Sequence, residues 1–319
     1  MKKRFLGKTN LEISEMGFGA WAIGGNAYGP VDGQESLRAL RYALDCGIDF
    51  IDTADVYGNG HSEELVGQAV HGRREEVFLA TKAGWDFTHG AIRSNFDRSY
   101  LAFALEDSLR RLKTDHVDLF QLHNPPMVLA HDRALLESLQ KMRQSGKIRS
   151  YGVSVHSPDE AFFWIEHTDL QVIQIVFNLL DQRPIPQLLK IASERGIGMI
   201  AREPLACGML TEKYGVETVF PKDDHRRRWP KEKKEADLVK ILKIKSLLQP
   251  LCVPLSQIAL EFVLSFPEIS TTIPGMKTVE QVKANLKAIQ EKYLTFEKVQ
   301  QLVDLYQKDS IFSQGLYRN

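Results

Sequence analysis

The sequence predicts an α/β protein of the (β/α)8 TIM-barrel type, with an N-terminal β-hairpin and extra helices. Short apolar runs alternate with amphipathic segments of about 10–15 residues, a pattern typical of parallel strands joined by crossover helices. Eight such alternations follow Met16, the number that closes a barrel. Polar, chemically reactive side chains follow three of the apolar runs. The C-terminal strand ends of a barrel carry its chemistry, so polar residues at these positions agree with the predicted barrel and also indicate where its site lies.

Turn residues and apolar spacing define the individual elements. Residues 4–15 alternate loosely around Gly7–Asn10 and predict a hairpin. Apolar residues at helical spacing predict a helix that ends at Gly47, and Pro158 suits the first turn of another. The predicted strands are 16–20, 49–51, 77–80, 117–120, 149–153, 171–176, 197–201 and 269–273. The predicted helices are 34–46, 62–71, 97–112, 132–145, 158–167, 184–195, 255–265, 278–290 and 296–308.

The composition is that of an ordinary soluble protein, and we expect one domain over residues 1–319. Its 41 basic and 41 acidic residues cancel, so no net field would attract nucleic acid or an anionic membrane. The cysteines Cys46, Cys207 and Cys252 lie too far apart for a disulfide framework or a structural zinc site, and we expect no metal. The sequence has no apolar run of about 18 residues and no signal-peptide pattern. We expect a cytoplasmic protein; its oligomeric state stays open.

Residues 211–251 interrupt the alternation of strands and helices. Their centre is the most charged stretch of the chain, which predicts a solvated and partly disordered loop when no ligand is bound. The alternative is a lid over an anionic cofactor, with Lys213 or one of Arg226–Arg228 contacting phosphate. The sequence leaves both open.

A glycine-rich loop follows the first predicted strand. Residues 17–22 match the letters of the G-x-G-x-x-A dinucleotide motif, but that motif requires a helix to start at once. Further glycines and Pro30 prolong the loop instead, so we exclude a Rossmann fold. Gly19 and Trp21 are better explained by a flat ligand that approaches the barrel mouth, with Trp21 as a wall of the pocket.

Asp52, Tyr57, Lys82 and His123 follow three successive predicted strands and suggest one chemistry. A tyrosine with its ordinary pKa of about 10 is a poor proton donor at neutral pH. A lysine ammonium beside it would lower that pKa, and an aspartate would keep the amine charged and oriented. Tyr57 could then protonate a carbonyl oxygen while His123 donates a hydrogen bond to it. A loop cap and a structural histidine are the plainer explanations, but four such residues together favour a catalytic site.

The motifs that contain these residues resemble those of the aldo-keto reductase superfamily. They are Ile51–Gly58, Thr81-Lys82, Leu122-His123 and Ile273–Gly275. The likeness covers nearly the whole chain, from Gly7 to about Ile289. It implies a TIM barrel that reduces aldehydes and ketones with NADPH (NADH being possible) and needs neither metal nor flavin. It also implies that the four residues form the catalytic tetrad, with Tyr57 as the general acid.

The resemblance assigns cofactor positions less evenly. His156 stands where relatives usually have asparagine, and Arg202 where an aromatic ring commonly stacks on nicotinamide. Lys277 fits the 2′-phosphate site and favours NADPH, beside a helix start at Thr278 that would offer free N–H groups. Ala284 replaces a glutamate that is frequent in relatives. The predicted cofactor-binding residues are Gly19, Trp21, Asp52, Ser154, His156, Gln174, Arg202, Pro204, Leu205, Cys207, Gly208, Lys213, Gly275, Lys277, Gln281 and Asn285.

The candidates that face the substrate are mostly apolar. They favour an aldehyde, ketone or quinone with a hydrophobic body, and the lack of an arginine firmly beside the tetrad argues against a strictly anionic substrate. The candidates are Trp21, Tyr57, Trp85, His123 and the loop 124–130.

Two other functions stay open from the sequence. Potassium-channel β subunits belong to the same superfamily and resemble the run Pro204–Gly208, which suggests an NADPH-binding redox sensor with little turnover. A barrel glycosidase would use paired carboxylates such as Asp52 and Asp55. That function gives Lys82 and His123 no role, so we rank it below the others.

Overall fold

Strands and helices alternate through residues 1–313, the part of the chain that the computed structural model describes; the predicted domain end at residue 319 lies outside it. The strands are β1 Lys3–Phe5, β2 Glu12–Ser14, β3 Phe18–Gly19, β4 Phe50–Asp52, β5 Phe78–Ala83, β6 Trp85–Asp86, β7 Arg93–Ser94, β8 Val117–His123, β9 Ile148–Val155, β10 Val172–Val176, β11 Gly198–Arg202 and β12 Ile269–Ile273. The helices are α1 Gly33–Asp45, α2 His61–Ala69, α3 Arg98–Leu112, α4 Arg133–Gln144, α5 Pro158–His167, α6 Leu188–Arg195, α7 Lys231–Leu248, α8 Leu255–Leu264, α9 Val279–Gln290, α10 Phe296–Lys308 and α11 Ser310–Ser313.

Eight parallel strands form a closed ring. Their order is β12-β11-β10-β9-β8-β5-β4-β3, and the two outer strands of this order also meet. The Gly17 amide donates to the Thr272 carbonyl (2.8 Å), and the Gly19 amide donates to the Pro274 carbonyl (3.0 Å). The predicted (β/α)8 barrel is therefore confirmed.

The hairpin of β1 and β2 covers one end of the barrel. Leu6 and Ile13 from the hairpin pack against Phe50 and other inward-facing strand residues. Gly7 has φ +55° and approaches β11 so closely that a Cβ added to it would lie 2.2 Å from the Gly198 amide nitrogen. Since Gly198 begins its strand, the hairpin closes the N-terminal end, and the C-terminal end stays open for a site.

Most predicted elements lie within a few residues of the observed ones. The first barrel strand is shorter than predicted, and α6 begins at Leu188 rather than at residue 184. No sequence pattern predicted the antiparallel pair β6–β7, which follows β5 after Gly84. Each of these two strands has only two residues, too few for a recognisable alternation of apolar and polar side chains.

The prediction of a solvated loop over residues 211–251 is wrong for its second half, where α7 forms an 18-residue helix. Ile241, Ile244 and Leu248 recur at helical spacing and are buried. Lys233 and Asp237 are also buried and form an ion pair of 2.7 Å. The prediction failed because it took charged residues to be solvent-exposed, whereas these two charges are buried as a pair.

Neither this helix nor any other in the described part of the chain is long and apolar enough to cross a membrane.

Candidate active site

Three neighbouring strands bring the predicted catalytic side chains to the open end of the barrel. Asp52 ends β4, His123 ends β8, and Lys82 lies one residue before the end of β5. Because β5 pairs with both β4 and β8, the three strand ends are adjacent. Tyr57 lies in the loop after β4, where its amide donates to the Ala54 carbonyl (3.2 Å). The structure therefore brings all four residues together.

The Lys82 ammonium is the centre of this cluster and is fully buried. It donates to Asp52 Oδ1 (2.5 Å), to the Thr53 carbonyl (2.9 Å) and to Tyr57 Oη (3.2 Å). An ammonium has three donors, so all of them are used. The amine is thus fixed between a carboxylate and a phenol.

Two glutamines complete the environment of Asp52. Its Oδ2 accepts from Gln174 Nε2 (2.8 Å) and from Gln121 Nε2 (3.0 Å), and both glutamines are buried. Gln121 was not predicted as a site residue. Its position two residues before His123 could have indicated it, because alternate residues of a strand face the same side. These bonds orient the carboxylate toward Lys82.

Burial changes the expected acidity of Tyr57. Burial raises the pKa of the phenol above its ordinary value, and this outweighs the lowering effect of the nearby Lys82 ammonium. Lys82 acts to lower the pKa of Tyr57 as predicted, but the prediction that the phenol becomes more acidic than usual is wrong, because burial has the larger effect. For Lys82, burial acts to lower the pKa, but Asp52 and Tyr57 more than offset it, so the pKa is raised and the amine stays charged.

His123 lies beside the phenol as a neutral imidazole. Its ring centroid is 5.8 Å from that of Tyr57, and the two rings are nearly perpendicular. Burial, followed by the charges of Lys82 and Arg202, lowers the pKa of His123 well below its usual value. Its buried Nδ1 has no hydrogen-bond partner within residues 1–313. A neutral imidazole has one N–H donor, which suits a hydrogen bond to a carbonyl oxygen.

A cavity of about 950 Å³ opens in front of these residues. Apart from the loop 124–130, every predicted catalytic, cofactor-binding and substrate-facing residue lines it except Lys82, which is buried behind Tyr57 and Asp52. Of the predicted substrate loop 124–130, Asn124 lines the cavity and residues 125–130 do not. Other lining residues were not predicted from the sequence, among them Asn26, Tyr28, Ile92 and Arg183.

Four of the predicted cofactor-binding residues lie in or directly after β9, β10 and β11; they are Ser154, His156, Gln174 and Arg202. Ser154 and Gln174 are register neighbours and both line the cavity. The amide nitrogen of Gln174 is used by Asp52 and Gln121, so its carbonyl oxygen is the atom left to accept from a ligand. His156 Nδ1 lies 3.2 Å from Arg202 Nη2. A guanidinium only donates, so His156 accepts at Nδ1 and carries its proton on Nε2.

Arg202 is held firmly at the edge of the cavity. It pairs with Glu203, and its Nη2 donates to the Val155 carbonyl (3.2 Å) as well as to His156. Its charge lowers the pKa values of both Tyr57 and His123, although burial is the larger effect on each. The expectation that no arginine lies firmly beside the tetrad is therefore wrong.

Lys277 and α9 form the other end of the cavity. Lys277 Nζ donates to the Tyr28 carbonyl (2.6 Å), which leaves two of its three donors. Thr278 caps α9 and accepts from the Gln281 amide (3.2 Å), while the Val279 amide donates to Glu35 Oε1 (3.0 Å). The prediction of free N–H groups at this helix start is therefore wrong for these two amides. They are satisfied within the protein.

The part of residues 211–251 that precedes α7 packs against the loop that follows β3. The His225 amide donates to the Ala27 carbonyl (2.9 Å), and the rings of His225 and Trp21 lie 4.8 Å apart. Lys213 and Arg228 line the cavity, as the lid hypothesis requires. Arg226 also lines the cavity, but it is buried, and Asp224 and the Cys207 carbonyl accept from three of its five N–H groups.

The fold and the site together define an oxidoreductase built on a (β/α)8 barrel. The sequence profile of the Aldo/keto reductase family matches residues 15–307. The chain therefore belongs to the aldo/keto reductase family, whose members use nicotinamide cofactors.

Relatives and solved structures agree with this assignment. The chain is 32% identical over 305 residues to the uncharacterized oxidoreductase YqkF of Bacillus subtilis, covering 95% of both chains. It is 29% identical to a probable voltage-gated potassium channel subunit beta of Oryza sativa, covering 91% of both. The glycerol dehydrogenase AKR11B4 of Gluconobacter oxydans has a TM-score of 0.81 and 31% identity, covering 100% of this chain and 97% of that one. An aldo-keto reductase of Klebsiella pneumoniae in complex with NADPH has a TM-score of 0.70 and 25% identity, covering 96% and 95%.

Proposed function

We propose that this protein reduces aldehydes or ketones to alcohols with NADPH, with Tyr57 as the general acid. The observation that carries the proposal is the position of the Lys82 ammonium. It lies 2.5 Å from Asp52 Oδ1 and 3.2 Å from Tyr57 Oη, behind a cavity that Tyr57 and His123 line. We propose that residues 1–319 act as one catalytic domain.

The residues around the cavity fit a phosphorylated dinucleotide. The cavity extends from Tyr57 and His123 to Lys277 and Asn285, and further cations, Lys213 and Arg228 among them, line its wall. Gly19 belongs to this surface, and a Cβ added to it would lie 2.5 Å from the Ile273 carbonyl oxygen, so only glycine fits there. The Ser154 hydroxyl and the Gln174 amide line one end and Lys277 the other, which suits nicotinamide and the 2′-phosphate respectively.

The chain's own residues account for the proton chemistry. Ser154 and Gln174 would hold a reduced nicotinamide, which would supply the hydride for the carbonyl carbon and so be oxidised. Tyr57 gives its phenolic proton to the oxygen, and His123 donates a hydrogen bond that orients this oxygen. The Lys82 ammonium stabilises the phenolate that Tyr57 becomes, since an opposite charge favours the ionised form. A proton from solvent then restores Tyr57.

The direct test is loss of absorbance at the reduced-nicotinamide band with a panel of aldehydes and ketones. The proposal requires carbonyl-dependent oxidation of NADPH with the alcohol as product. A protein that binds NADPH but oxidises it no faster with any carbonyl than without would instead support the redox-sensor alternative. That alternative draws on the relative named as a channel β subunit, and a partner captured only in one redox state of the cofactor would favour it.

Lys277→Met should lower the affinity for NADPH relative to NADH by about 10-fold or more. A hydrogen bond to a charged group contributes about 1.5–3 kcal/mol, and NADH lacks the 2′-phosphate that Lys277 would contact. Dissociation constants for both cofactors, from nicotinamide fluorescence, check this. Lys283→Met is the matched control, because Lys283 is another lysine, on the helix α9 that follows Lys277, but contacts the Tyr42 ring. An unchanged NADPH/NADH ratio in Lys277→Met would remove Lys277 from the phosphate site.

Arg202→Tyr should strengthen the binding of oxidised cofactor relative to reduced cofactor by several-fold. The guanidinium places positive charge where the oxidised nicotinamide ring is itself cationic, and its pairing with Glu203 weakens this repulsion without removing it. Equilibrium titration with NADPH and NADP checks the ratio. Arg202→Lys keeps the charge and should keep the wild-type ratio. Equal ratios in wild type and Arg202→Tyr would contradict the prediction.

A further inference from the structure

A short hairpin forms one side of the cavity mouth. Gly84 follows directly after β5, and β6 then pairs with β7 in the register Trp85 to Ser94 and Asp86 to Arg93. We call residues 85–94 the mouth hairpin. Trp85 and Ile92 from this hairpin line the cavity. Two strands of two residues each are too short to be stable as a free hairpin, so another interaction must fix its shape.

The carboxylate of Asp86 provides that interaction. Asp86 is 3% exposed and accepts from the Thr88 amide (3.0 Å), from Thr88 Oγ1 (2.6 Å), from Asn95 Nδ2 (3.3 Å) and from Arg93 Nη2 (3.2 Å). The two donors of Thr88 have the largest effect in holding the pKa of this carboxyl well below its usual range. The carboxylate therefore joins three parts of the hairpin: the turn through Thr88, β7 through Arg93, and the residue after β7 through Asn95.

Both ends of the mouth hairpin are also fixed. The Asn95 amide donates to the Gly84 carbonyl (2.9 Å), which joins the chain after the hairpin to the residue before it. Gly84 has φ +137°, and a Cβ added there would lie 2.4 Å from the Phe96 ring, so the position requires glycine. With both ends fixed, only the tip of the hairpin can still move, and the hydrogen bonds to Asp86 limit that movement.

We infer that Asp86 is a positioning residue that sets the selectivity of this site for carbonyl compounds with a large apolar body. Asp86 does not line the cavity, so it acts through Trp85 and Ile92. By tying the tip to β6, it holds the indole and the Ile92 side chain together as one apolar wall at the mouth. Ile92 is 50% exposed, and this apolar surface suits the hydrophobic part of a substrate. The inference rests on the proposed carbonyl reduction.

Steady-state kinetics with two aldehydes of different size test this role. Asp86→Ala should raise the KM for 2-naphthaldehyde by about 10-fold and leave its kcat within about twofold, because the wall contributes to binding and lies away from the reacting atoms. The KM for propanal, which has no large apolar body, should change by less than about twofold. Asp86→Asn keeps an acceptor for Thr88 but loses the charge, and its effect should lie between those of wild type and Asp86→Ala.

The double-mutant background makes the test specific. In a Trp85→Ala/Ile92→Ala protein the wall is already absent, so adding Asp86→Ala should leave the KM for 2-naphthaldehyde unchanged. Arg93→Ala is a control that removes only the exposed ion-pair partner of Asp86. Arg93 is 64% exposed, and an exposed ion pair contributes little, so this variant should resemble wild type.

The outcomes separate this inference from the function on which it rests. If wild type reduces neither aldehyde, the proposed reduction fails. If wild type is active but Asp86→Ala changes both KM values equally, lowers kcat, or adds a full effect in the double-mutant background, Asp86 has no positioning role of this kind. If Asp86→Ala does not fold, Asp86→Asn takes its place, and the same three results in that variant would contradict the inference.

Discussion

Tyr57→Phe should lower the kcat for carbonyl reduction by about 10²–10⁴-fold, the contribution typical of a general acid. Phenylalanine keeps the ring and its packing against Trp21 but has no proton to give. The affinity for NADPH should stay within about threefold, so the loss belongs to the chemical step. Stopped-flow measurement of a single turnover, together with cofactor titration, checks both parts.

Two further measurements sharpen this prediction. Tyr42→Phe removes the same hydroxyl from helix α1, outside the cavity lining, and should keep full activity. The acid must be neutral to act, and burial raises the pKa of Tyr57 above its ordinary value of about 10. The kcat for reduction should therefore stay flat through neutral pH and fall only as the pH rises through that raised pKa. Equal rates in wild type and Tyr57→Phe would remove Tyr57 as the acid.

Lys82→Met should reduce both stability and turnover. It leaves the Asp52 carboxylate buried without its cation, and breaking a buried pair in this way costs about 3–5 kcal/mol of unfolding free energy. It also removes the charge that favours the Tyr57 phenolate, so kcat should fall by at least about 10²-fold. Urea unfolding and single-turnover kinetics measure the two effects separately.

The pH dependence of this stability effect has a definite sign. The folded-state pKa of Lys82 is raised, so its contribution to stability is complete below the unfolded value of about 10.5. That contribution is lost only as the pH rises through the folded pKa. The contribution of the Lys82 charge to the stability of the wild type should therefore be constant across neutral pH.

Two controls separate catalysis from folding. Asp52→Asn/Lys82→Met removes both charges and should regain much of the lost stability without regaining turnover. Lys233→Met breaks another buried pair, Lys233–Asp237, and should lose stability but keep kcat. If turnover returns in the double variant, the ammonium has no catalytic role, and the loss in Lys82→Met comes from destabilisation.

The sequence by itself determined the barrel and the position of the candidate site. Apolar runs, helical spacing and turn glycines are local properties of the chain, and they predicted eight strand–helix units that the structure confirms. Parallel strands must align their C-terminal ends on one face, so residues that follow successive strands were bound to converge. Asp52, Lys82 and His123 do so at adjacent strand ends.

Only the tertiary structure decided how each group behaves at that site. The balance between burial and the Lys82 charge fixes the acidity of Tyr57, and burial prevails. Gln121 joins the network, and the amides that begin α9 find partners in Glu35 and Thr278. The mouth hairpin takes its shape from one buried carboxylate. The contacts of Tyr57 with Lys82, of Gln121 with Asp52 and of the Val279 amide with Glu35 join residues distant in sequence, and desolvation and hydrogen bonding act only within a few ångströms.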